Sequence, residues 1–234
     1  MFRSVTPLDS NAHRNLKLAP NPGFGFAATT MTVPLSPSEV PEAAKHFPVV
    51  FPTEGPLLPH ALLSLVQGTN EFVSPTGEWT APYVPAHIRR YPFILAATGE
   101  KDGFVLGYDS EAPHFVDGTE PLLDADGKPT VLLSQVLQFL NGFQQEITAA
   151  ATQLEALTPL LDPQQLEWQP PNGGDKVTVN GLRIVNVEKL SKLSDKKFLE
   201  LRKAGLLPLI YAHLSSLSNV AVLTQKAATR LAAK

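Results

Sequence analysis

The sequence predicts an α+β fold in which an N-terminal, proline-rich, mainly β half packs against a C-terminal half of long helices containing one β-hairpin. Three observations carry this. Most of the 22 prolines stand before residue 130, where they interrupt helices and suit short strands and turns. From Thr130 the apolar period becomes helical, with Leu133, Val136, Leu137, Leu140, Phe143, Ile147, Ala151, Leu154 and Leu157 on one stripe. Two turn signals, Gly99–Gly103 and Asn180-Gly181, each lie between apolar runs in the manner of a hairpin. With 43% hydrophobic and 18% charged residues, 234 residues can bury a sizeable core. One domain over 1–234 is expected; the alternative is two lobes, 1–128 mainly β and 129–234 mainly α.

Residues 1–22 read as an extended entry segment, because Pro20 and Pro22 stop a helix. Phe24 to Pro34 reads as a strand with Phe24 and Phe26 on one face. Ser36-Pro37-Ser38-Glu39 is a capping box with proline at the first helical position, starting a short helix that ends near His46. Phe47 to Phe51 is a buried strand, and Leu57 to Gln67 another, closed by a turn at Gly68-Thr69-Asn70. Pro92–Ala97 and Phe104–Tyr108 form the first hairpin. Asp124-Ala125-Asp126-Gly127 lacks the ligand spacing of a calcium loop and is expected to be a turn.

The long helix capped by Thr130 ends at Thr158-Pro159 and spans roughly 40 Å at 1.5 Å per residue, with Asn141-Gly142 as a place for a kink. Leu161 to Asp175 is expected to be a loop, and Val177 to Val185 a hairpin turning at Asn180-Gly181. A lysine-rich helix over 187–204 buries Leu190, Leu193, Phe198 and Leu201 and is closed by Gly205. Pro208 opens a final helix reaching about Leu231, with Tyr211, Leu214, Leu217, Val220 and Leu223 as its apolar stripe.

Charge and composition exclude several functions. A net charge of -3 is unsuited to bulk nucleic-acid binding. The absence of cysteine removes disulfides, thiolate metal sites and cysteine nucleophiles. No window approaches the ~20 apolar residues of a membrane span, and the N-terminus lacks a signal-peptide core, so a cytoplasmic protein is expected. His13, His46, His60, His87, His114 and His213 are followed two residues later by Asn, Pro, Leu, Arg, Val and Ser, and no His-x-x-x-His pair occurs. No metal site or cofactor motif is evident in that pattern. His213, Ser215 and Ser216 lie close together but lack a nucleophile elbow, and a helix-packing cluster that docks the last helix on the sheet is expected there.

The candidate ligand-binding residues are Trp79, Tyr83, Arg89, Arg90 and Tyr91, in a stretch stiffened by Pro82, Pro85 and Pro92. Arginine offers a planar fork to carboxylate or phosphate, and Trp and Tyr offer flat faces with a polar edge. If the piece is extended, Arg89 and Arg90 point to opposite faces. The competing reading is that the aromatics fill the core while Arg89 or Arg90 pairs with an internal acid such as Asp109.

Phe24-Gly25-Phe26-Ala27, Phe47-Pro48-Val49-Val50-Phe51, Gly77-Glu78-Trp79, Tyr83-Val84-Pro85, Arg89-Arg90-Tyr91-Pro92-Phe93 and Tyr211 to Asn219 (YAHLSSLSN) together resemble the SapC family, small bacterial proteins associated with the paracrystalline surface layer. The resemblance covers nearly the full length. It implies a role in making, exporting or presenting a surface protein, or in peptide modification, and it supplies no catalytic residues. The chain has no Gly/Asp repeats of a lattice protein, which favours an accessory role. The expectation is therefore an accessory protein that binds a peptide, a protein or a small anionic ligand. The alternatives are a peptide- or amino-acid-modifying enzyme and a structural subunit of a larger assembly.

Overall fold

The computed structural model describes residues 1–234 apart from 21, 99–102, 172 and 233–234. In chain order its elements are β1 (Val5–Pro7), β2 (Lys17–Leu18), β3 (Thr32–Pro34), α1 (Val40–Ala43), β4 (Val49–Pro52), β5 (His60–Leu62), α2 (Ala86–Arg89), β6 (Phe93–Ala97), β7 (Phe104–Asp109), β8 (Glu120–Pro121), α3 (Val131–Leu154), β9 (Leu161–Trp168), β10 (Val177–Val185), α4 (Val187–Ser191), α5 (Asp195–Lys203), α6 (Leu206–Ser216) and α7 (Asn219–Ala232). Helix and sheet are mixed, as an α+β fold requires.

An antiparallel five-stranded sheet in the order β3-β5-β4-β10-β9 draws strands from both sides of residue 128. A smaller sheet, β1-β7-β6, pairs Phe93 with Tyr108 and Ala97 with Phe104. These pairings form the expected hairpin; most of its turn lies outside the described residues. Leu122, Leu123 and the first half of α3, through Leu133 and Leu140, pack with Phe93 and Tyr108 of the small sheet. The second half of α3, through Ala150 and Leu154, packs instead in the main core with the large sheet, α6 and α7. One helix thus joins two cores. At 1.5 Å per residue its 24 residues span roughly 36 Å, enough to reach both.

Several local expectations hold for the stated reasons. The Ser36 N–H donates to Glu39 Oε2 at 3.0 Å. Thr130 Oγ1 accepts from the Leu133 N–H at the start of α3. The Asp124 carboxylate accepts from the N–H groups of Asp126 and Lys128, closing a turn with Gly127 at φ 78°.

Others are corrected. Within the span 24–34 only Thr32–Pro34 is strand; Gly25–Ala27 is a turn of 3-10 helix with Phe24 at its N-cap and Phe26 within it, their rings 6.1 Å apart. Leu161–Trp168 is an eight-residue strand rather than a loop. Pro163 is tolerated because β9 lies at the sheet edge, where a missing N–H breaks no ladder. Val177–Val185 is one strand whose partner is β9, so the hairpin encompasses 161–185, and Asn180-Gly181 forms a bulge between the Val179 and Leu182 pairings. Both a bulge and a tight turn exploit a positive φ, here 77° at Gly181.

The helix expected over 187–204 breaks into α4 and α5, with Ser194 capping the second by accepting from the Lys197 N–H. The final helix is likewise two, α6 and α7, meeting at a 41° bend. Its buried residues on α6 are Leu206, Leu209, Ile210, His213 and Ser216, while Tyr211 is 53% exposed. A count of hydrophobic residues misplaces this face because two of its members are polar groups matched to sheet backbone. No single helix among the described residues is long and apolar enough to cross a membrane.

Candidate functional site

The aromatic and arginine-rich stretch is organised by a buried carboxylate. Glu39 Oε1 accepts from the Tyr83 hydroxyl and the Ala86 N–H, both at 2.6 Å, while Oε2 accepts from Ser36. One side chain therefore ties the 36–39 turn to the 83–86 turn. Burial, reinforced by the adjacent Glu39 carboxylate, raises the Tyr83 hydroxyl above its ordinary pKa. Trp79 Nε1 donates to the Tyr83 carbonyl at 2.8 Å, and its ring lies 6.2 Å from Phe72 and 5.8 Å from Phe24. Trp79 is thus half-buried at the edge of the main core, its polar edge used to shape the chain.

Arg89 and Arg90 lie on a helical turn rather than an extended segment, and they diverge. Arg89 Nε donates to the Val84 carbonyl at 2.9 Å, and its guanidinium lies 5.9 Å from the Tyr83 ring and 5.1 Å from the Phe139 ring. Arg90 lies between Phe2, at 5.5 Å, and Phe143, at 5.8 Å. Phe139 and Phe143 are stacked on α3 at 6.4 Å, one helical turn apart. Arg89, the last residue of α2, and Arg90, its C-cap, therefore each sit over one ring of that pair. Arg89 is exposed; Arg90 is half-buried, its Nε has no hydrogen-bond partner, and burial lowers its pKa. Neither arginine has a carboxylate partner among the described residues.

Tyr91 turns inward. Its ring stacks on Phe26 at 4.0 Å, and its hydroxyl donates to Asp109 at 3.0 Å. Asp109 is fully buried and also accepts from the N–H groups of Arg3 and Ser4. Burial opposes its ionisation, but these donors together hold its carboxyl below the usual range. Asp109 is thus satisfied by a tyrosine and by backbone, not by an arginine. Tyr83, Arg89 and Phe139 come together at the surface, Trp79 supports them, Arg90 occupies the neighbouring ring, and Tyr91 belongs to the interior.

The histidines are dispersed, and no group of three or more His, Asp or Glu among the described residues is placed to hold a metal ion. His213 is fully buried between strands: Nε2 accepts from the Val185 N–H at 3.0 Å and Nδ1 donates to the Val49 carbonyl at 2.8 Å. Ser216 Oγ accepts from the Val49 N–H, and Asn219 Nδ2 donates to the carbonyls of Ala44 and Phe47. His213, Ser216 and Asn219 recur at three-residue spacing, so this segment docks α6 on the backbone of β4 and β10 and the start of α7 on the α1–β4 connection, as expected for a packing cluster.

Glu39 and Phe139 are the contributors that sequence reasoning left out of the site. Glu39 was visible only as a capping residue. The Phe139/Phe143 spacing was a usable signal for a ring pair facing α2.

No curated protein and no solved structure matches the chain. A family model described as SapC matches residues 8–223, a span that takes in the aromatic-arginine stretch, the Glu39 turn and the His213–Asn219 docking segment, and the chain belongs to the SapC family.

Proposed function

We propose that this SapC-family chain is an accessory binding protein that recognises a peptide, protein or small surface-related ligand through the Trp79–Tyr91 stretch, with Arg89 holding an anionic group. The observation that carries the reading is the state of the Arg89 guanidinium. It is fixed by the Val84 carbonyl and by two ring faces, it is exposed, and no carboxylate neutralises it among the described residues. A side chain already held in place loses little rotamer freedom on binding, and its outer nitrogens keep the geometry for a bidentate carboxylate or phosphate. The exposed part of the Tyr83 ring adds flat contact area beside it. Arg90 contributes a second positive charge from below and anchors α2 to α3. A role in surface-protein biogenesis rests on the family to which the chain belongs. Native mass spectrometry of the protein from its own host tests the reading: a retained anionic ligand or a co-purified polypeptide supports it, and a bare chain at every concentration contradicts it.

A further inference from the structure

A second concavity lies elsewhere. A groove of about 1130 Å³ runs between the segment 69–80 and the outer face of α7. Val222, Lys226 and Arg230 line its helical wall at four-residue spacing, and Gly25 and Gly77 line the opposite side. Gly77 is there for a backbone reason, whereas Gly25 has an ordinary φ. The Phe24 N–H donates to the Gly77 carbonyl at 2.7 Å, and Gly77 adopts φ 84°. A Cβ at Gly25 would meet no atom within 4 Å, so the missing side chain leaves open space along the groove rather than a tight contact.

The charge in this groove is unbalanced. Arg230 Nε donates to both Glu71 oxygens, at 3.1 and 2.9 Å, and the Glu71 side chain is 1% exposed, so that pair is closed within the fold. Arg230 Nη2 is left buried with no hydrogen-bond partner among the described residues. Lys226 is half-buried, its ammonium 5.1 Å from the Phe72 ring, and it makes no ion pair among the described residues. One positive charge thus remains uncompensated between largely apolar walls. The Thr80 hydroxyl and the Gln225 amide line the same groove and make no side-chain hydrogen bond among the described residues.

We infer that this groove binds the C-terminal end of an apolar peptide, with the terminal carboxylate on Lys226. Apolar side chains of the peptide lie along Val222 and the space beside Gly25, and its amide groups use Thr80 and Gln225. Thr80 and Gln225 are exposed and free of side-chain partners among the described residues, so a peptide's amide groups can pair with them, whereas a plain hydrocarbon acid fits the charge and makes no use of either. Apart from Thr80, which lies within the Trp79–Tyr91 stretch, this site uses none of the residues around Arg89 and its inference does not rest on that surface.

Isothermal titration calorimetry decides the matter with three probes: the tetrapeptide Ala-Val-Leu-Phe with a free carboxylate, its carboxamide, and dodecanoate. The free acid is expected to bind, and the carboxamide about tenfold more weakly, as loss of a charge-assisted contact implies. Lys226→Met is expected to weaken the free acid by the same factor and remove its advantage over the carboxamide, with unchanged thermal melting. Gly25→Leu, which fills open space at an unstrained backbone position, is expected to abolish binding while the chain still melts cooperatively. Arg89→Ala is expected to leave this affinity unchanged. Absence of binding by the free acid, equal binding of acid and carboxamide, tighter binding of dodecanoate than of the peptide, or indifference to Lys226→Met would each overturn the inference.

Discussion

His213 replaces a rung of the sheet ladder at Val49. The β10–β4 register pairs Leu182 with Pro52 and Arg183 with Phe51. Continued by two residues, it would set Val185 opposite Val49. There the imidazole intervenes, accepting from the Val185 N–H and donating to the Val49 carbonyl, while Ser216 takes the Val49 N–H. The strands separate at this point, and α6 supplies the hydrogen bonds that they no longer give each other. The arrangement explains why a histidine and a serine occupy the buried face of a helix in the main core.

Replacing His213 by alanine leaves a buried carbonyl and a buried N–H without partners. At about 1–3 kcal/mol for each orphaned group, His213→Ala is expected to cost about 3 kcal/mol or more. Urea unfolding measures it. A loss below about 1 kcal/mol would mean that water or strand closure restores the bonds.

Burial holds His213, His60 and His114 neutral, with pKa values lowered to about 4. His87 is lowered to about 3 by burial first and then by Arg90, His60 and the chain's amino terminus. The unfolded chain protonates these groups near pH 6.5 and the folded chain only near pH 4 or below. Their contribution to stability is therefore whole above about pH 6.5 and is lost as the pH falls from there through about 4. The urea midpoint is expected to be level from pH 8 to 7 and to fall steadily between 6.5 and 4. A level midpoint down to pH 4 would contradict the burial of these rings.

Much of this was legible in the sequence, and the exceptions share a cause. Ser36-Pro37-Ser38-Glu39, Thr130 and the β6–β7 pair are local devices, and local chemistry decides them. The strand β9 was hidden by Pro163 and by the absence of β-branched residues, since its status depends on having β10 beside it. Asn180-Gly181 signalled a positive φ correctly, but whether that produces a turn or a bulge is decided by the strands alongside. The arginine pair was legible as chemistry and not as geometry. That Arg89 and Arg90 would each cover one of two rings on α3, and that Asp109 would be claimed by Tyr91, depends on contacts between distant segments.

Glu39 accepts from Ser36 in its own turn and from Tyr83 and Ala86 in a second, so its loss should exceed that of any one partner. Tyr83→Phe is expected to cost about 1–2 kcal/mol and Glu39→Ala about 3 kcal/mol. The double variant should cost less than the sum, because the two share one hydrogen bond. Full additivity in a double-mutant cycle would show that the pair is not coupled.

Gly181 stands in the bulge at φ 77°, and its carbonyl accepts from the Thr53 N–H. Gly181→Ala is expected to lose about 1 kcal/mol or more through left-handed backbone strain, while an alanine at Gly25, whose φ is ordinary, changes stability little. Equal melting temperatures for the two variants would contradict the bulge.

The most direct test of the binding reading compares Arg89→Ala with Arg90→Ala, each measured for retention of the ligand or partner that accompanies the protein from its host and for thermal melting. Arg89→Ala is predicted to lose the ligand and keep the wild-type melting temperature, whereas Arg90→Ala, which removes a half-buried anchor between Phe2 and Phe143, is predicted to melt earlier. Retention of the ligand by Arg89→Ala, or failure of both variants to fold, would contradict the assignment of Arg89 as the anion receptor and return the stretch to the scaffold.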